Sequence, residues 1–349
     1  LELARNMALQ IRRAELEHDR SEIIGLIRRY LAPSSNERRF AWLYCDSPHG
    51  IARAWLACDE TGDTAVGMAA AFPRQMYFDG DKRLGLVLGD FCMSEKYRSI
   101  GPALSLQRAC LEGIGDLPFA ICYDCPSLGM MAIYKRLGIQ QAGTLVRWAK
   151  PLRAERKLES VVRVKAVAKS LGAVANLALA YRGWKGGSNV CELVLQDGSC
   201  GEEFSAFDRE MSWRPGVLTV RTADYLNWRY IANPIVSHQI LQARYAGALV
   251  GYAVFTQHGE QADIVDLDAK EEPAVVANLL AGVVDLVRMD DVSVVNLVAG
   301  NSHPYSAVFE RAGFRQRESS PVVVFTPPGS PGRSASLAAL RLMQGERDS

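Results

Sequence analysis

Asp90-Phe91-Cys92-Met93-Ser94-Glu95-Lys96-Tyr97-Arg98-Ser99-Ile100-Gly101 is the stretch that decides how this chain folds. A short apolar strand, Asp90 to Met93, runs into a charged turn through Tyr97. Arg98-Ser99-Ile100-Gly101-Pro102-Ala103 follows. Apolar residues then recur at helical spacing, at Leu104, Leu106, Ala109 and Leu111. Glycine lets the chain turn sharply and bare its N–H groups at a helix start. Those donors and the positive end of the helix dipole suit a phosphate or pyrophosphate. Chemistry alone stops at an anion held on a helix N-terminus.

Outward from this stretch the pattern predicts alternating strands and helices. Ala8 to Ala14 reads as a strand. Asp19 or Ser21 caps a helix carrying Ile23, Ile24, Leu26 and Ile27 to Tyr30, limited by Pro33. Phe40 to Tyr44 is apolar and aromatic without clean periodicity. Ala54 to Ala57 and Thr64 to Ala71 form a hairpin about Glu60-Thr61-Gly62-Asp63. Leu84 to Met93 is a central strand after a turn at Phe78-Asp79-Gly80-Asp81. Phe119 to Tyr123 is the next buried strand. Ser127 to Leu137 is a helix, and Gly138 stands where a left-handed C-cap belongs. Thr144 to Trp148 is a strand ended by Pro151. This order predicts an α/β protein of the α+β kind, with a mixed sheet and helices on both faces, rather than a doubly wound parallel sheet.

A second unit repeats the order. Tyr134-Lys135-Arg136-Leu137-Gly138-Ile139 matches Phe309-Glu310-Arg311-Ala312-Gly313-Phe314 in residue type, and each lies between two strands. The predicted organisation is a first domain over 8–151, a basic helical linker over 152–188, a second domain over 189–327 and a disordered tail over 328–349. A short helix within the tail is allowed at Ala335 to Met343. Trp228 and Tyr230 are expected to pack on the linker or on the first domain. The units are chemically unequal. Where the first has its glycine turn, the second has Asp268-Ala269-Lys270-Glu271-Glu272-Pro273, without glycine and with two glutamates that repel an anion. Phe309 stands in place of Tyr134.

Composition narrows the function classes. The chain has 349 residues, 40 Lys and Arg against 39 Asp and Glu, and a formal charge of +1, so charge gives no case for nucleic acid. The eight cysteines do not resemble a disulfide framework in so long and apolar a chain, and reduced thiols are expected. Cys122 and Cys125 form a lone CxxC without a second pair or a nearby histidine. No metal is expected. Val161 to Tyr181 is apolar but broken by Arg163, Lys165, Lys169 and Gly172, which excludes an integral membrane span. No signal peptide is visible, and a cytoplasmic location is expected.

The glycine turn and the later tyrosine helix together resemble the coenzyme A loop and the tyrosine helix of the GCN5-related N-acetyltransferase superfamily. The whole chain resembles tandem bacterial members, with Asp224 to Tyr230 as the second unit's Asp-Tyr-Leu-x-Trp-Arg-Tyr segment. The resemblance implies two tandem acyl-CoA N-acyltransferase folds, the second having lost catalysis. It implies acetyl-CoA or another acyl-CoA as cosubstrate. The pantetheine arm would lie along the backbone of Phe91, Cys92 and Met93, and pyrophosphate on the amides of Arg98, Ser99, Ile100, Gly101, Pro102 and Ala103. Pro102 departs from the commoner glycine there and has no N–H to give. Tyr134 would be the acid that protonates the leaving thiolate. Asp90 is a weaker candidate, read from its own setting as the base or the orienter of a water, or else as a carboxylate that holds a backbone turn or pairs with Arg98. Ser127 reads first as an N-cap and second as a cofactor contact. Glu95, His49 and His303 are weaker candidates. The expected function is transfer of an acyl group to the amine of a small molecule or amino sugar by a monomer or homodimer. Two alternatives stand beside it: a non-catalytic acyl-CoA-binding or scaffold protein, and a transferase of long or unusual acyl groups.

Overall fold

A computed structural model describes residues 9–62, 64–153, 191–270, 273–327 and 340–347. The expected linker falls almost wholly outside these residues, as do Glu271 and Glu272. The first half holds β1 (Gln10–Arg13), β2 (Arg53–Cys58), β3 (Ala65–Phe78), β4 (Asp81–Met93), β5 (Ile121–Asp124) and β6 (Gln141–Pro151). Its helices are α1 (Arg20–Tyr30), α2 (Glu37–Phe40), α3 (Ile100–Gly113) and α4 (Leu128–Arg136). The second half holds β7 (Glu192–Leu195), β8 (Val217–Thr219), β9 (Gln239–Tyr245), β10 (Ala248–His258), β11 (Gln261–Ala269), β12 (Val294–Gly300) and β13 (Arg315–Phe325). Its helices are α5 (Glu202–Met211), α6 (Ala223–Leu226), α7 (Pro273–Arg288) and α8 (Ser306–Arg311). This is the mixed α/β fold that the periodicities predict.

The strands form one sheet in the order β1-β2-β3-β4-β5-β13-β6-β12-β11-β10-β9-β7, with β8 added to β3. The halves therefore exchange strands. β13, from the second half, lies antiparallel between β5 and β6, pairing Val323 with Asp124 and Pro321 with Thr144. β6 in turn lies against β12, pairing Asn296 with Ala149. A boundary at residue 151 divides the chain order but not the sheet.

The halves also share a core. Ile23, Phe40, Tyr44 and Phe72 of the first pack with Phe204, Tyr225, Trp228 and Tyr252 of the second in one buried cluster. At its centre two π-helical turns, Ala41–Cys45 and Asn227–Ile231, face each other. The Trp42 indole N–H donates to the Trp228 carbonyl at 2.7 Å, and the Trp228 indole returns the bond to the Trp42 carbonyl at 2.7 Å. The rings stack at 5.4 Å. Trp228 thus packs on the first half. Asn36 caps α2 and Thr222 caps α6, each through its side chain. Asn36 to Tyr44 and Thr222 to Tyr230 are therefore the same turn used twice, a repeat whose only clear sequence signal is Trp-x-Tyr.

Local chemistry accounts for the element ends. Gly138 and Gly313 both have positive φ, +77° and +91°, and end α4 and α8 in the left-handed region where glycine carries no Cβ penalty. Asp19 precedes α1 without capping it. Its carboxylate instead accepts from the Glu15 N–H and from both Arg12 nitrogens, at 2.7–2.8 Å.

Most of the expected tail, 328–339 and 348–349, lies outside the described residues. Residues 340–347 are packed, not disordered. Met343 bridges Ala299, the Gly300 N–H donates to Leu342 at 2.9 Å, and Gln344–Glu346 form a 3₁₀ turn. Leu342 and Met343 are buried, and burial of two apolar side chains offsets the ordering of a short segment. A Pro-, Gly- and Ser-rich approach concealed this in the sequence.

Candidate active site

Two neighbouring parallel strands part in each half. β4 pairs with β5 only from Gly85 to Val87, opposite Ile121 to Tyr123. Beyond Val87 it pairs with β3 alone, so Leu88 to Met93 border an open wedge. β3 and β4 lose register between Met68 and Ala70, and Asp90 sits there at φ +46°. That conformation is uncommon outside glycine and is best tolerated by Asp and Asn. Phe91, Cys92 and Met93 line the parted arm. Burial pushes the Cys92 thiol up to about 12. The Met93 carbonyl accepts from Arg98 at 3.3 Å.

The wide end of the wedge meets the start of α3. Of the six residues expected to present amides, two present one with no hydrogen-bond partner among the described residues. The Arg98 N–H bonds Glu95, the Ser99 N–H bonds Tyr97, and the Ala103 N–H bonds Ser99, at 2.8–3.2 Å. Pro102 has none. Ile100 and Gly101 remain, at the positive end of a 14-residue helix. A Cβ built on Gly101 meets nothing within 4 Å. Its space is open toward an incoming anion and not filled by protein. The Ser99 side chain caps nothing. Exposed Ile100 and Leu128 stand at the starts of α3 and α4.

At the narrow end stands Asp124, the first residue of β5 past its pairing with β4. The Tyr134 hydroxyl donates to its carboxylate at 2.6 Å, and Gln107 of α3 donates to the Tyr134 oxygen at 3.2 Å. Desolvation raises Asp124 to about 6, against the lowering effect of the Tyr134 bond. Burial, and then the charge of Asp124, hold the Tyr134 hydroxyl well above its ordinary value, so it carries its proton at neutral pH. Sequence reasoning missed Asp124. Its signal was a carboxylate closing the apolar run Ile121-Cys122-Tyr123, next to Pro126.

Asp90 does not stand free. Arg39 grips both its oxygens, at 2.9 and 3.0 Å, and the Tyr44 hydroxyl adds a bond of 2.8 Å. These bonds tie the register break of β4 to α2 and to the first π-turn. Ser127 caps α4, accepting from the Met130 N–H at 3.2 Å. Glu95 is exposed. His49 is buried between the halves, stacked on Tyr225 at 4.6 Å, and burial holds it well below the usual histidine range. It forms no part of the wedge.

The second half repeats the wedge and fills it. β11 pairs with β12 from Gln261 to Ile264 and then departs. Leu342 to Gly345 lie in the gap. A Cβ on Gly345 would collide with the Tyr230 hydroxyl, so only glycine fits. Glu346 is buried on Arg221 at 2.7 Å, and Arg221 also donates to Asp266 at 3.1 Å. The Tyr230 hydroxyl donates to Asp266 at 2.9 Å, as Tyr44 does to Asp90. α7 begins at Pro273 where α3 has its glycine turn. Phe309 lies between Trp148 and His303, and desolvation lowers His303 to about 3.

No family model matches this chain, and no curated protein matches it by sequence. Solved structures do match it by fold. A GCN5-related N-acetyltransferase from Anabaena variabilis superposes with a TM-score of 0.64 at 12% identity, covering 91% of this chain and 72% of that one. A conserved protein of unknown function from Enterococcus faecalis, labelled a probable N-acyltransferase, gives 0.63 at 12%, over 92% and 72%. A GCN5-related N-acetyltransferase from Kribbella flavida gives 0.58 at 15%, over 91% and 71%. This chain has the GCN5-related N-acetyltransferase fold. In that N-acetyltransferase fold, the open wedge of β4 and β5 and the filled wedge of β11 and β12 are the two halves' counterparts. Among the described residues no helix is long and apolar enough to cross a membrane, and no three metal-ligating side chains converge.

Proposed function

We propose that this chain is an acyl-CoA-dependent N-acyltransferase whose single working site is the wedge between β4 and β5. The observation that carries the reading is the contrast between the wedges. One is open, ends on two helix N–H groups with no hydrogen-bond partner among the described residues, and holds Tyr134 and Asp124 at its vertex. The other is closed by residues 340–347 and carries Phe309 instead. Pyrophosphate would rest on Ile100 and Gly101, and the pantetheine arm along Phe91 to Met93. Bound acyl-CoA supplies an activated carbonyl and a thiolate leaving group.

The chain's own residues move protons. Asp124 takes one proton from the acceptor ammonium, leaving an amine able to attack the carbonyl carbon. As the C–N bond forms and the C–S bond breaks, Tyr134 gives its Oη proton to sulfur and recovers one from Asp124. The second ammonium proton leaves to solvent. Amide and free thiol result. Gln107 holds the Tyr134 oxygen in place throughout.

Titration calorimetry with acetyl-CoA and single-turnover transfer test this together. Tyr134→Phe should keep cofactor affinity and slow the chemical step by roughly 10²- to 10⁴-fold, the usual weight of one positioned acid. An unchanged step would leave Tyr134 a packing residue. Absence of acetyl-CoA binding in the parent would favour a scaffold role.

A further inference from the structure

Among the described residues the sheet ends on β7, whose outer edge pairs with no strand. An open edge with apolar side chains beside it is a surface that proteins cover. A groove of about 750 Å³ runs between this edge and the C-terminal end of α7. Buried Leu241 and Phe255 form its floor, and Leu193, Leu195, Leu286 and Met289 its walls. Leu195 is 42% exposed and Met289 86%. Gly282 lets β7 sit close to α7, since a Cβ there would strike Leu193 at 2.5 Å and Leu241 at 2.8 Å.

The 37 residues 154–190 lie outside the described chain, and the residues on either side of them border this groove. Arg153 pairs with Asp291 and donates to the Arg288 carbonyl at 3.5 Å, at the end of α7. Cys191 leads straight into β7, and its Sγ accepts from Asn278 of α7 at 3.4 Å. At about 1.5 Å per residue, Asn278 and Arg288 stand about 15 Å apart along that helix.

The sequence between matches the groove in pattern and in charge. Val164, Val167, Leu171, Val174, Ala178 and Tyr181 recur at spacings of three and four, the apolar stripe of an amphipathic helix. A helix over 161–181 would be about 30 Å long. The flanks, 154–160 and 182–190, each reach roughly 20 Å or more when extended, enough to lay such a helix along the groove. Residues 154–190 carry seven Lys and Arg against two Glu. Asp285 and Asp290 line the groove.

We infer that the apolar stripe of 161–181 docks in the groove between β7 and α7. The chain's own linker covers the open edge of the sheet, and its basic residues meet the acidic rim. The linker is then a layer of the second half and not a tether between halves.

The test is a photo-crosslink in the full chain. Benzoylphenylalanine placed at exposed Met289 should react with residues 161–181 of the same molecule, giving a crosslinked monomer on a denaturing gel and the joined peptides by mass spectrometry. Met289→Glu combined with Asp290→Lys should speed trypsin cleavage after Lys165 and Lys169 by tenfold or more, with the circular dichroism of the folded chain retained. Crosslinked dimers alone would give the groove to a second copy. Sedimentation with phosphatidylserine vesicles, without the intramolecular crosslink, would give the stripe to a membrane. Either result overturns the inference, as does a crosslink confined to other residues or equal cleavage in parent and variant.

Discussion

Asp124→Asn should make the protein more stable and less active. Asp124 titrates at about 6 in the fold, against 3.8 in an unfolded chain. The folded state therefore holds its proton more tightly. As pH rises from about 4 to about 6, the folded state must give up a proton the unfolded chain has already lost, and stability falls through that window. Two pH units correspond to about 3 kcal/mol. Asparagine resembles the protonated form and cannot ionise. It should stabilise the fold by up to about 3 kcal/mol above pH 7, and by about 1 kcal/mol at pH 4.5. These are upper values, because the carboxyl is only partly buried and solvent screens it. Urea unfolding at pH 8 and pH 4.5 reads both numbers. The same variant should slow single-turnover transfer by roughly 10²-fold or more. In the parent the chemical step should rise with pH through about 6. Destabilisation at pH 8, or an equal gain at both pH values, would refute the account of Asp124 as an ionised group kept at a cost for its chemistry.

Gly101→Glu should abolish acetyl-CoA binding, since it puts bulk and negative charge into the open space before α3; the parent should bind one acetyl-CoA per chain by calorimetry, and two equivalent sites would contradict the closed second wedge. Asp90→Asn should preserve the backbone at φ +46°, which Asn tolerates, but remove the charge that pairs with buried Arg39. A loss of about 3–5 kcal/mol in urea unfolding is expected, and a neutral effect would free Asp90 from its bracing role.

Much of this protein was legible in its sequence. Alternation and helical spacing placed most of the described strands and helices within a few residues, because each element must turn one apolar face inward. Gly138 announced a helix end because only glycine enters the left-handed region without strain. Gly101 and Tyr134 marked the wedge from both sides. The tertiary structure decided what contacts reach across the chain. Asp90 meets Arg39, 51 residues away in the chain, only through the fold. Asp124, just past the predicted strand, gains its partner only because Tyr134, ten residues on, folds back to it. The exchange of β13 and β6, and the tail threaded through the second wedge, leave no local mark. A strand's two edges carry the same N–H and C=O groups whatever its side chains, so periodicity says which face is buried but not which strand lies alongside. That choice falls to the shared core at Trp42 and Trp228, which holds the two halves close enough for each to complete the other's sheet.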